Sequence, residues 1–395
     1  MRDAEQAPLV AHLLYRLDFG GLENLLVERI NRMPAQAYRH AVICLTGYTD
    51  FARRISKPGV ELYALDKQPG LSPGTHAALF KLLRRLRPAI LHTYNLAALE
   101  YAPVALLAGV PARVNGLHGR DASDPEGRNP KHRLLRRLML PFYDCCYANS
   151  GDMLAWNREF IGVPEHKSRL LANGIDAERF RPRAAGEPRP ELGAGFGPDC
   201  TVIGTVGRVQ DVKDHATLLE AFALLRARLP RQAAGLRLAI VGDGPLLPAL
   251  RAKAAALGLD SQVWLPGARN DVPEILRAFD IYAISSIAEG TPGSVLEAMA
   301  SQLPAVGTRV GGVPEVIAEG VTGQLVPPRD PQALAAALAR YVEDPRLALE
   351  HGEAGRQRVL THYSMPAMVA GYQALYDSLC ERKTPFRKSI TSCVE

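Results

Sequence analysis

Short apolar runs alternate with helix-period stretches along this chain, and the whole alternation happens twice. A parallel strand needs a long crossover before its neighbour, usually a helix, so such a rhythm specifies parallel sheets covered by helices. In the first half the runs predict strands over 9–14, 41–45, 62–65, 89–92, 112–117 and 145–148, with helices over 22–30 and 77–86. Leu22, Leu25, Leu26 and Ile30 mark one apolar face of the first helix. Between 182 and 199 the periodicity gives way to Pro, Gly and Ala, which reads as a linker. A second cycle follows, with strands over 201–206, 236–241, 263–265, 281–284 and 305–306 and helices over 216–229 and 246–257. The expected fold class is α/β: two Rossmann-like doubly wound domains facing a cleft. The expected boundaries are a first domain over 1–184, a linker over 185–199 and a second domain over 200–363. A helix over 364–384 and a tail over 385–395 close the chain.

The 395 residues suffice for two such cores. A net charge of +6 suits anionic phosphates or an anionic lipid surface equally. No zinc-finger or RNA-recognition pattern accompanies it, so nucleic acid is not an expected partner. The apolar runs fall short of the roughly 18 residues that span a bilayer. The opening residues, Met1 to Gln6, lack the basic start and apolar core of a secretory signal. The six cysteines form no C-x-x-C pair and approach no histidine at metal spacing. Reduced thiols in a cytoplasmic chain, without a metal or cofactor, are the expectation.

The segment over 284–317 carries the densest chemistry. Glu289 and Glu297 stand eight positions apart, and Gly290, Thr291, Pro292, Gly293 and Ser294 lie between them. A glycine-containing loop that opens a helix offers unpaired N–H groups and the positive end of the helix dipole, a setting for a diphosphate. A helix starting near Gly293 or Ser294 would place Glu297 in its first turn, within reach of hydroxyls attached to those phosphates. Glu289 would reach from the preceding loop. The bland alternative, an acidic residue favouring a helix N-terminus, covers Glu297 alone. Earlier in the second half, Gly207-Arg208 and Lys213 follow a strand and precede a helix. Cations fixed there would stabilise negative charge on a departing diphosphate, although either one alone reads as a solvated basic loop. Gly242-Asp243-Gly244 after the next strand fits a ligand approach or a tight turn equally.

These residues resemble glycosyltransferase family 4, the retaining enzymes with two Rossmann-like domains, in its E-x7-E motif and its G-R-x-x-x-x-K segment. The Glu297-Ala298-Met299-Ala300 continuation and Gly311-Gly312-Val313-Pro314-Glu315 extend the likeness, which runs from Gly20-Gly21 to the closing helix. The resemblance implies a nucleoside-diphosphate sugar as donor and a glycan or lipid-linked acceptor. It implies that Arg208 and Lys213 hold the diphosphate, that Glu297 binds ribose hydroxyls and that Glu289 holds the donor sugar. Gly290, Thr291, Gly293, Ser294 and Val295 would complete the donor site. In the first half it places the Gly20-Gly21 loop against the donor and His118 against the transferred sugar. Arg120 and Asp121 become acceptor candidates, and Asn173, in an N-G-I-D turn, a cleft candidate. The closing helix would cross back to the first domain. Tyr15 to Asn24 and His118-Gly119-Arg120-Asp121 are similar to a narrower branch found with bacterial exopolysaccharide and exosortase (PEP-CTERM) loci. The loop after Glu289 departs from the family in lacking an aromatic residue.

Three rivals share parts of this pattern. A nucleotide-sugar epimerase could use the same fold, a glycoside hydrolase could use the two carboxylates, and a binding protein could hold the donor without turnover. Two basic segments, over 81–87 and 131–140, fit either core-facing helices with a solvated side or peripheral contact with the inner membrane.

Overall fold

A computed structural model describes residues 7–70, 72–119, 124 and 127–383. The chain divides into two units, at Gly174/Ile175 and at Ser364/Met365. The first unit holds β1 (Leu9–Leu17), β2 (Arg39–Tyr48), β3 (Glu61–Ala64), β4 (Ile90–Tyr94), β5 (Ala112–Leu117), β6 (Cys145–Ala148) and β7 (Ser168–Leu170). They form one parallel sheet in the order β3-β2-β1-β4-β5-β6-β7. In the second unit β8 (Thr201–Val206), β9 (Leu236–Val241), β10 (Val263–Gly267), β11 (Ile281–Ile284), β12 (Ala305–Thr308) and β13 (Gly323–Val326) form another, in the order β10-β9-β8-β11-β12-β13. Each order reverses once, between β1 and β4 and between β8 and β11. Loops leaving the carboxyl ends of those strands diverge there and open a crevice for ligands.

Strand burial explains why the runs read as continuous rather than alternating. β4, β5 and β6 are buried at every position, because helices cover both faces of a parallel sheet. In the helix Gly21–Arg32 the stripe Leu26, Val27 and Ile30 is buried against β1 and β2 side chains such as Leu14 and Val42. Each such side chain taken from water contributes about 1.5–3 kcal/mol.

The closing helix, Met365–Lys383, belongs to the first unit. Met365, Met368, Val369, Tyr372, Leu375, Tyr376 and Leu379 recur at helical spacing and pack with Val10, Ile90, Val114 and Tyr147. Residues 175–199 belong to the second unit, a correction to the expected boundaries, which assign 175–184 to the first domain and 185–199 to a linker. Single anchors, invisible to periodicity, tie them down. Phe180 and Phe196 enter the second core, Arg181 makes a two-pronged bond to Glu187 at 2.7 and 3.0 Å, and Arg189 pairs with Asp280.

Candidate functional site

In the second unit the loops after β8 and β11 are stapled together. Ser285 Oγ donates to the carbonyls of Lys213 (3.0 Å) and Asp214 (2.9 Å), and the Ile287 N–H donates to the Val212 carbonyl (2.9 Å). Asp214 takes a left-handed backbone (φ 45°) and its carboxylate receives the Thr217 hydroxyl at 2.7 Å. It thereby starts the helix His215–Arg228 directly behind the basic loop. The staple brings the two predicted residues Lys213 and Glu289 together: Nζ lies 2.6 Å from Oε1, and Ser286 Oγ donates to the same oxygen at 2.5 Å. The Glu289 side chain is 9% exposed and that of Lys213 21%, so the pair is largely shielded from solvent. Arg208 is exposed and pairs with no carboxylate among the described residues.

Two glycine pairs serve this loop rather than a ligand. Gly311, at φ 48°, would place a Cβ 1.8 Å from the Glu289 carbonyl oxygen, and Gly312 would place one 2.4 Å from that of Gly290. The Gly312 N–H donates to Gly290 at 3.2 Å. Gly242 and Gly244 pass equally close to the carbonyls of Gly207 and Val209, at 1.9 and 2.2 Å from a hypothetical Cβ. The absent side chains let backbones meet.

The helix Gly293–Ala300 begins where the sequence analysis put it. Among the described residues, the N–H groups of Gly293 and Ser294 donate to no backbone carbonyl, and a Cβ on Gly293 would meet nothing within 4 Å. These are open anion donors at a helix start. Two expectations shift. Glu297 is the fifth helical residue, so it stands in the second turn, because one turn takes only 3.6 residues. Val295 is buried in the core and gives its N–H to the Pro292 carbonyl at 3.1 Å, which leaves it nothing to offer a donor. Burial raises the Glu297 carboxyl to about 7, against a smaller opposing pull from Arg179. Arg179 is a neighbour that no motif announced.

In the first unit, His118 follows β5 near the switch point. Its N–H donates to Asn95 Oδ1 at 2.9 Å, and its Nε2 lies 2.7 Å from the Tyr147 hydroxyl. Its buried Nδ1 has no hydrogen-bond partner among the described residues. Burial first, and the Arg29 guanidinium second, bring the imidazole down to about 3, so it is neutral at physiological pH. Asn95, at φ 55°, ends β4 in a left-handed conformation that asparagine tolerates better than most residues. Sequence reasoning missed it, along with Tyr147. A Cβ on Gly20 would fall 2.1 Å from the Glu23 carboxylate, so this glycine makes room for Glu23 over the helix start. Gly21 is open on that side. Asn173 is half-buried. Arg120 and Asp121 lie outside the described residues.

Residues 19–179 match the model described as Glycosyltransferase Family 4, and residues 200–344 match Glycosyl transferases group 1. The chain belongs to glycosyltransferase family 4. Anabaena HepE, solved with UDP, shares its fold at TM-score 0.74 and 19% identity, over 93% of this chain and 99% of that one. The two doubly wound units thus have the GT-B fold. Among curated family relatives, the Escherichia coli UDP-Gal:alpha-D-GlcNAc-diphosphoundecaprenol alpha-1,3-galactosyltransferase is 24% identical over 97% of this chain and 100% of its own length. A Bacillus subtilis protein named as glycosyltransferase EpsF is 34% identical over 52% of this chain. This chain spans only about half of that relative, 53% of its length.

Proposed function

We propose that this chain is a retaining glycosyltransferase that moves a sugar from a nucleoside-diphosphate sugar to a glycan or lipid-linked acceptor, in exopolysaccharide or other cell-surface polysaccharide synthesis. The observation that carries the reading is the arrangement at the β8/β11 switch point: the shielded Lys213–Glu289 pair, exposed Arg208 and the open N–H groups of Gly293 and Ser294. Together they present positive charge and backbone donors in the crevice where a doubly wound sheet takes its ligand. Arg208 and Lys213 neutralise the leaving diphosphate. Glu297 binds ribose hydroxyls, Glu289 orients the sugar, and His118 contacts that sugar. The acceptor oxygen bonds to the anomeric carbon on the face from which the carbon–oxygen bond to phosphate breaks, and the acceptor proton passes to the departing phosphate oxygen. The reading assigns no metal ion to this step, so activity in excess chelator should persist. The full-length match to the E. coli galactosyltransferase, whose name specifies a diphosphoundecaprenol-linked acceptor, supports the lipid-linked option.

Peripheral membrane contact is part of the same proposal. Among the described residues no helix is long and apolar enough to cross a membrane. On the helix Pro130–Met139, however, Leu134 and Leu138 are each 57% exposed one turn apart, flanked by exposed Lys131 and Arg137. The helix Pro73–Leu86 instead buries Leu79, Leu82 and Leu83 and turns Lys81, Arg84 and Arg85 outward, the ordinary core-facing arrangement.

A thermal-shift panel of UDP-, GDP- and ADP-sugars tests the donor site, because a ligand bound only by the folded state raises the melting temperature. Arg208→Ala and Glu297→Ala should abolish the shift. A shift preserved in both variants refutes the site.

A further inference from the structure

The first unit buries a run of hydrogen-bonded rings that the proposed reaction does not use, and it ends at His118. At its far end is Arg29, 1% exposed, which pairs with no carboxylate among the described residues. Its guanidinium donates to the Tyr94 hydroxyl and stands 3.9 Å over the Tyr372 ring. His92 Nδ1 lies 2.7 Å from the Tyr376 hydroxyl and its Nε2 lies 3.0 Å from the Tyr147 hydroxyl. Tyr147 therefore bridges two imidazoles, since its oxygen also lies 2.7 Å from His118 Nε2. β5 is shaped for this bridge. A Cβ on Gly116 would fall 2.2 Å from the Tyr147 hydroxyl, so only glycine lets that ring pass beneath the strand.

Proton counting gives the run a direction. A neutral imidazole carries one N–H and a hydroxyl one proton. Both imidazoles are neutral: burial, then Arg29, holds His92 well below the usual range and His118 at about 3. Among the described residues the Tyr376 hydroxyl has one hydrogen-bond partner, His92 Nδ1. A buried O–H without an acceptor is costly, so Tyr376 donates to Nδ1. His92 then carries its proton on Nε2 and donates it to the Tyr147 oxygen. The Tyr147 hydroxyl also bonds that of Tyr372, and of these two acceptors the imidazole Nε2 of His118, at 2.7 Å, is the stronger and takes the proton. The proton of His118 is left on Nδ1.

We propose that Tyr376, His92 and Tyr147 are positioning residues that fix the tautomer of His118, so that its unpartnered Nδ1–H is offered as a neutral donor to an oxygen of the transferred sugar. The tautomer follows from the chain's own contacts, whereas the sugar as recipient rests on the function proposed above. The competing arrangement sends the Tyr147 proton to the oxygen of Tyr372, whose ring meets that of Tyr147 edge-on at 5.4 Å. It would leave His118 protonated on Nε2 and its Nδ1 a bare acceptor.

Nitrogen NMR of the full chain, labelled with 15N-histidine and free of substrate, distinguishes the two arrangements. His118→Gln assigns the signal by removing it. The expected result is a protonated, pyrrole-type Nδ1 and an unprotonated, pyridine-type Nε2 at His118. The reverse pattern overturns the proposal. In Tyr147→Phe, with folding checked by thermal unfolding, the His118 signals should shift away from the Nδ1–H form, and an unchanged pattern removes Tyr147 from the role. Because no sugar is present, failure here is separate from failure of the transferase reading, which the thermal-shift panel reports.

Discussion

Lys213 and Glu289 neutralise each other across the switch point of the second sheet, Nζ to Oε1 at 2.6 Å, while Arg208 on the same loop stands exposed. The two cations that sequence spacing treats alike are therefore different. Lys213 meets the diphosphate while already paired with Glu289, whereas the charge of Arg208 is free for an incoming anion.

Arg208→Ala should weaken nucleoside-diphosphate binding by about tenfold or more, the scale of one lost charge-assisted bond, with the melting temperature unchanged. Lys213→Ala should lower affinity and melting temperature together, because it leaves Glu289 shielded with only Ser286 on its oxygen. Calorimetric titration with UDP and GDP, paired with thermal unfolding, separates the cases. An equal loss of stability in both variants contradicts the division of roles.

Glu297 supplies a pH dependence whose sign follows from its raised carboxyl. The folded state holds its proton up to about 7, whereas the unfolded chain releases it near 4.5. The stability this confers is full below the unfolded value and is lost as pH rises towards 7. Glu297→Gln should flatten that decline and leave the protein more stable above neutrality by about 1–3 kcal/mol, discounted for partial exposure. Denaturant titrations at pH 5 and pH 8 measure the difference. A variant that tracks the parent at both values would show that the carboxyl is solvated.

Much of this architecture was legible in the sequence. The predicted strands over 112–117, 145–148, 201–206, 236–241 and 281–284 coincide with β5, β6, β8, β9 and β11, because runs buried on both faces cannot be mistaken for solvated loops. β7 and β13 went unseen. Ser168-Arg169-Leu170 and Gly323-Gln324-Leu325-Val326 are edge strands too short and too polar to form a run. The acidic and basic loops were legible because each is local in sequence. Asn95, Arg179, Tyr147 and Arg29 were not, since their roles arise from partners far along the chain, as when His92 meets Tyr376. The glycine pairs were legible as glycines but not as the backbone contacts they permit.

Acid should strike the first unit hardest. His12, His40, His92 and His118 are held neutral there, chiefly by burial, with His40 and His118 at about 3 and the other two well below the usual range. The unfolded chain takes up protons at 6.5 that these sites refuse. The stability they provide is present above 6.5 and is lost as pH falls, by up to about 1.4 kcal/mol per pH unit for each group. Hydrogen exchange at pH 5 against pH 8 should show β1, β2 and β4 losing protection before β8 and β9. The opposite order would show that the histidines are reached by water.

Gly293 and Gly311 offer the sharpest separation of ligand from scaffold. A methyl at Gly293 meets no protein atom within 4 Å, so Gly293→Ala should fold with an unchanged melting temperature. If a diphosphate sits against that helix start, the same methyl intrudes on it, and nucleotide affinity should fall about tenfold. Gly311 is the opposite case. Alanine there must adopt φ 48° with its Cβ 1.8 Å from the Glu289 carbonyl oxygen, which forces the acidic loop to move. Gly311→Ala should therefore lose stability and affinity together. Thermal unfolding and nucleotide titration of the two variants read both effects. A Gly293→Ala protein that binds UDP and GDP as its parent does would place the diphosphate away from this helix.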